Sequence, residues 1–231
     1  MVTATSEGVW GDHARIIAAL NTMEVRWIRT GLVTGNPGQV SWINQLAANG
    51  ITSDTVMGFP GQRGGSPEEL VALIATKMRG SVSMMEGTNE WDYLGGDNWV
   101  AGLRGHQTRL YQAAKATAAT KAIPVAGPSF AWRTGSYDKF GNAAGIMDLG
   151  NIHLYTGGFV PGFRTDALMR EERKVCGSKP MIVSETGWHT LKLDGDALLH
   201  ARGRGGRLCP ATAPRILHPP RAQDRDLRVA G

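Results

Sequence analysis

The chain is built of short apolar runs that alternate with helical patterns, and this alternation constrains its fold more than any other feature. Strand-like runs cover Glu24 to Leu32, Ile51 to Met57, Ser81 to Met85, Ile123 to Ala126, Asp148 to Tyr155 and Pro180 to Ser184. Helical spacing lies between them. "QVSWINQLAAN", from Gln39 to Asn49, repeats apolar residues at Val40, Ile43, Leu46 and Ala47, and Gly50 stops it. "SPEELVALIATKM" begins with Ser66 as the capping residue, Pro67 at the first helical position and Glu69 three residues after the cap. Further helices are predicted over His13 to Met23, Asn98 to Ala119 and Thr165 to Val175.

Strands that alternate with helices imply right-handed βαβ units and a parallel sheet. An open doubly wound sheet and a (β/α)8 barrel both satisfy that pattern. Polar and aromatic residues follow nearly every strand: Arg29, Gln62 and Arg63, Asn89 to Trp91, Ser129 to Trp132, His153 and Tyr155, Glu185 to Trp188. An open sheet gathers its ligands at one switch point, whereas a barrel brings all its strand ends to one mouth. The expectation is therefore an α/β chain of the (β/α)8 TIM-barrel type, with its first and last strands missing or degenerate. Met1 to Gly8 is a poor strand, and the alternation stops after Thr190.

The barrel is expected over residues 1–192, followed by an irregular Arg- and Pro-rich tail over 193–231. Residues 201–231 hold seven Arg and two Asp, so the tail alone accounts for the net charge of +5. The remainder is balanced and has no electrostatic footprint for nucleic acid. The composition change near Leu193 within an unfinished pattern reads as an out-of-frame translation, which the other two reading frames would test. With 42% hydrophobic and 19% charged residues the chain is globular in composition. No apolar run reaches the roughly 20 residues that span a membrane, and no signal peptide is visible at Met1 to Thr5. Localisation stays open, because a preceding region could carry a signal. Cys176 and Cys209 are too few for a disulfide framework or a zinc knuckle, and no cofactor or metal is expected.

Two glutamates stand at matching places. Glu90 in "MMEGTNEWD" follows the third strand, and Glu185 in "IVSETGW" follows the sixth. With one strand missing in front, these become strands 4 and 7, which face each other across a barrel mouth. Paired carboxylates across a cleft suit glycoside hydrolysis: one protonates the departing oxygen, and the other attacks the anomeric carbon or activates water. Asn89 offers an amide to a sugar hydroxyl, and Trp91, Trp132 and Trp188 offer flat faces to pyranose rings. Packing is the competing role for Trp91 and Trp188, and a structural ion pair for Arg29. Glu86 is read as a hydrogen-bonded inner residue, and Asp92 and Asp97 as loop-capping groups. No serine elbow, phosphate loop or His pair at metal-binding spacing competes.

"GTNE", "SETGW", "VRWIRTGL" and "GNIHLY" together resemble the clan A glycoside hydrolases, retaining (β/α)8 enzymes, and within them glycosidase-like proteins of actinobacteria. The resemblance covers roughly Trp10 to Thr190. It implies Glu90 as acid/base, Glu185 as nucleophile, Asn89 as the amide before the acid/base and Arg29 as the strand-2 arginine supporting the nucleophile. Tyr155 and His153 compete for the strand-6 residue that hydrogen-bonds the nucleophile. The expected partner is a carbohydrate substrate, with neither nucleic acid nor membrane, and the oligomeric state is open. The alternatives are an inactive or sugar-binding remnant of a truncated barrel, and a nucleic-acid or anionic-surface binder acting through the Arg-rich tail.

Overall fold

The computed structural model describes residues 11–61, 64–131, 135–156, 159–160, 162–187 and 215–217. Four strands pair in parallel and in sequence order: β1 (Trp27–Gly31), β2 (Thr52–Val56), β3 (Val82–Glu86) and β4 (Val125–Ala126). Next come β5 (Gly150–Tyr155) and β6 (Met181–Gly187), also parallel. A parallel bridge between Ala126 and Leu149 joins the two groups. Among the described residues, six parallel strands thus run in one sequential order. Helices alternate with them: α1 (His13–Thr22), α2 (Pro37–Ala48), α3 (Pro67–Lys77), α4 (Trp91–Leu94), α5 (Trp99–Ala116), α6 (Ser136–Phe140) and α7 (Thr165–Cys176).

The sheet is curled rather than open. Met84 of β3, Ala126 of β4, Leu149 before β5 and Ile182 of β6 meet in one buried cluster, the floor of the interior. Arg29 on β1 reaches Glu185 on β6, 2.8 Å away, although the two strands lie at opposite ends of the order. That closure is the geometry of a (β/α)8-type barrel with six parallel strands described, and it bears out the expected fold class.

The helices start where their caps place them. Ser66 accepts from the Glu69 backbone while the Glu69 carboxylate accepts from the Ser66 backbone, which closes a capping box on α3. Asn36 caps α2 by accepting from Gln39 N at 3.0 Å, with Pro37 in the first turn. The apolar stripes of α2, α3 and α5 pack on the outer face of β1–β4 through Ile43, Leu70, Ile74 and Leu110. A second cluster, rich in aromatics, joins Trp99 of α5, Phe130, and Tyr137 and Phe140 of α6 to Leu168 and Val175 of α7.

The structure departs from the sequence expectations in several places, beginning with β1, which starts at Trp27 rather than at left-handed Glu24, and β5, which starts at Gly150 rather than Asp148. The helix expected to Ala119 ends at Ala116. Helices α4 and α6 were not foreseen, because four or five residues are too few to show a helical period. Strand β6 runs on to Gly187, so Glu185 lies within it rather than after it. The tail, expected to lack strands, contributes β7 (Arg215–Leu217), antiparallel on β6. An exposed strand edge pairs with extended backbone largely through main-chain groups. The rest of the tail and Met1 to Gly8 lie outside the described residues.

Candidate active site

The site lies at the C-terminal ends of the strands. Period-two alternation puts Asn151, His153 and Tyr155 of β5 on one face, toward the interior. On β6, Ser184 and Glu185 are neighbours in sequence yet both turn inward. The β5–β6 register shifts so that Ile152 faces Val183 and His153 faces Glu185, leaving Ser184 as the extra residue. Such a bulge re-aims side chains that strict alternation would send to opposite faces.

Glu90 is delivered by a different device. Its backbone is left-handed (φ 48°), a conformation that costs a non-glycine residue roughly 1–2 kcal/mol. The turn is held by Glu90 N donating to Ser129 O at 3.1 Å, and by Asp92 accepting from Ala131 N (2.9 Å) and Ser136 Oγ (2.7 Å). Gly87 leads into it. A Cβ there would meet Pro128 N at 2.6 Å and Gly127 C at 2.9 Å, so only glycine lets this loop pass.

Arg29 is the hub. Its Nε and Nη2 donate to the two Glu86 oxygens at 2.8 and 2.6 Å, and Nη2 also to Asn89 Oδ1 at 2.8 Å. Its Nη1 donates to Glu185 Oε2 at 2.8 Å. Burial works against the Arg29 charge, but the hydrogen bonds and charge of Glu86 outweigh it and raise the guanidinium pKa. Burial would likewise raise the Glu86 carboxyl, yet the Arg29 contacts bring it below its ordinary value. The structural ion pair and the support of Glu185 are therefore one arrangement rather than rival roles.

His153 and Tyr155, which competed for one position, divide between the two glutamates. Tyr155 Oη donates to Glu185 Oε1 at 2.6 Å. His153 Nδ1 lies 2.7 Å from Glu90 Oε1, while its Nε2 is 3.7 Å from Glu185 Oε2. Arg29 Nη2 sits 3.4 Å from Nε2, which favours a lone pair there and a proton on Nδ1. The His153 hydrogen bond holds the Glu90 carboxyl below its ordinary pKa. Burial and the Glu185 carboxylate push the Tyr155 phenol up, so it stays a donor.

One donor atom each from Glu90, His153 and Glu185 lies within 4.8 Å of the other two. Such a set could hold a divalent cation. Here the Arg29 guanidinium already brings a positive charge to a Glu185 oxygen and to His153 Nε2, and would repel one.

Of the other expected residues, Trp91 turns onto Phe59, with ring centroids 6.0 Å apart, and packs beside the aromatic cluster. Trp132 and Trp188 lie outside the described residues. Three residues at the hub escaped the sequence reading: Asp54, Asn151 and Ser184. Ser184 Oγ lies 2.7 Å from Asn151 Oδ1 and 3.3 Å from Glu86 Oε1. Asp54 had a signal. "TSDTV" is polar throughout its middle, where a parallel strand covered on both faces is ordinarily apolar.

No family model matches the chain, and no curated protein sequence matches it. Among solved structures it is similar to ScGas2 in complex with compound 7, at 14% identity and a TM-score of 0.55. That match covers 82% of this chain and 46% of the other. It is also similar to Saccharomyces cerevisiae Gas2p in complex with laminaripentaose, at 15% identity and a TM-score of 0.54, covering 78% and 44%. The chain thus spans less than half the length of the structures it matches. At these identities the likeness is one of fold.

Proposed function

We propose that the chain is a retaining glycoside hydrolase that cleaves a poly- or oligosaccharide with Glu185 as nucleophile and Glu90 as acid/base. The observation that carries this reading is the spacing of the pair: donor oxygens of Glu90 and Glu185 within 4.8 Å, at one barrel mouth. Two carboxyl groups with oxygens this close suit a pair in which one attacks the sugar directly, and retaining enzymes place theirs about 5–5.5 Å apart.

The chemistry follows from the donors. Glu185 accepts from Arg29 and Tyr155, which hold its carboxylate in place for attack on the anomeric carbon. As the Glu185–carbon bond forms, the glycosidic carbon–oxygen bond breaks and the leaving oxygen takes a proton from Glu90. Glu90 then accepts a proton from water, whose oxygen displaces Glu185. The His153 hydrogen bond favours ionised Glu90 in the free protein, so the proton for the first step depends on a bound sugar that excludes water and thereby favours the neutral carboxyl. Laminari-oligosaccharides are the first substrates to try, because a structure of similar fold holds laminaripentaose.

A second reading, a barrel that binds sugar without cleaving it, draws on the depressed Glu90 carboxyl, which disfavours the protonated acid. Turnover of an activated aryl glycoside separates the two. The enzyme reading expects hydrolysis that Glu185→Gln abolishes. Binding without turnover supports the second reading, and full activity of the Gln variant removes Glu185 from the mechanism.

A further inference from the structure

We propose that Asp54 and Glu86 share one proton in the folded protein, and that this pair positions Arg29 so that Nη1 points at Glu185. Asp54 on β2 stands in register with Arg29 on β1 and with Met84 on β3, two residues before Glu86. Asp54 is 1% exposed and Glu86 0%. The bonds of Arg29 go to Glu86, Asn89 and Glu185. Neither oxygen of Asp54 receives a hydrogen bond from a donor among the described residues. Asp54 and Glu86 are diagonal neighbours on one face of the β2–β3 pair, because Asp54 stands opposite Met84 and Glu86 lies two residues further on, within reach of a long side chain.

A buried carboxylate without a donor takes up a proton rather than remain an uncompensated charge. Once protonated, Asp54 becomes a donor to Glu86, and ionised Glu86 can only accept. The alternative leaves three carboxylates, Asp54, Glu86 and Glu185, around a single guanidinium. Arg29 from β1 and Glu86 from β3 face Asp54 directly. Beyond Arg29 lie Glu185 on β6, His153 on β5 and Glu90. Burial first, then the Glu86 charge, push the Asp54 carboxyl well above its ordinary range, in keeping with the geometry.

The neutral Asp54 leaves Glu86 as the one ionised partner on that side. Glu86 grips Nε and Nη2, and Nη1 remains for Glu185. An ionised Asp54 would compete for the guanidinium and draw it from Glu185. This consequence rests on Glu185 being the nucleophile; the shared proton itself does not.

Infrared spectroscopy of the 231-residue chain tests the proton without any variant. Labelling aspartate with carbon-13 is expected to shift the carbonyl band of a protonated carboxylic acid that persists at about pH 7, far above the ordinary aspartate value of about 3.9. Absence of a shifted acid band at that pH overturns the proposal. Asp54→Asn supplies the second readout, since its amide still donates to Glu86. The wild-type fold retains a proton that the unfolded chain releases, so its stability falls with rising pH above about 3.9. Its folding equilibrium constant relative to the Asn variant is expected to drop about tenfold per pH unit there. A ratio independent of pH contradicts the shared proton. If the band and slope appear but no glycoside is turned over, the proton pair stands and the enzyme reading falls.

Discussion

Replacing Arg29 with Ala perturbs the fold and the proposed chemistry together, and the structure sets the size of the effect. The side chain is 13% exposed, and its bidentate partner Glu86 is 0% exposed. An exposed ion pair is worth about 0–1 kcal/mol, because water and salt screen it. Removing one partner of a buried pair costs roughly 3–5 kcal/mol, since the other charge is stranded. The hub belongs to the second class. For a chain of 231 residues, each kcal/mol moves Tm by about 2–4 °C, so Arg29→Ala should lower Tm by about 6–20 °C. Urea denaturation followed by circular dichroism gives the free energy directly. Adding Glu86→Gln should recover part of the loss, because it removes the stranded charge. The coupling should lie in the range of about 0.5–3 kcal/mol found for residues in contact. A loss below about 1 kcal/mol, or strict additivity of the two substitutions, would refute the buried-hub reasoning.

Two further predictions concern the partners of the glutamates. Tyr155→Phe removes only the hydroxyl that donates to Glu185 at 2.6 Å; a bond to a charged group is worth about 1.5–3 kcal/mol, so kcat/KM should fall about 10–150-fold, and an unchanged rate contradicts the role. In His153→Ala, Glu90 loses the bond that stabilises its ionised form, so protonation becomes easier and its pKa rises. The limb of the kcat/KM profile that belongs to Glu90 should therefore move to higher pH, and a limb that stays in place or moves down removes the coupling.

The alternation of strands and helices, and the pair Glu90 and Glu185, were legible because both rest on local pattern. Glu86 as an inner hydrogen-bonded group and Asp92 as a loop-holding group were legible for the same reason: each sits beside a recognisable turn. The division of labour between His153 and Tyr155 was not. Both lie on one face of β5 by period two, and only the curl of the sheet decides which glutamate each one meets. The inward turn of both Ser184 and Glu185 depends on a register shift that no residue in "IVSETGW" announces. Asp54 stayed hidden because its importance comes from strands 1 and 3 closing on either side of it. Arg29 could be read as either an ion pair or a support, and the fork of the guanidinium lets it be both.

The central claim is that Glu185 bonds covalently to the sugar. Incubation with a 2-deoxy-2-fluoro glycoside carrying a good leaving group slows release of the intermediate more than its formation. Mass spectrometry of the intact chain, followed by peptide mapping, should then find one fluoroglycosyl group on the peptide containing Glu185. Turnover of the parent glycoside with no adduct, or with the adduct on another residue, would contradict the account.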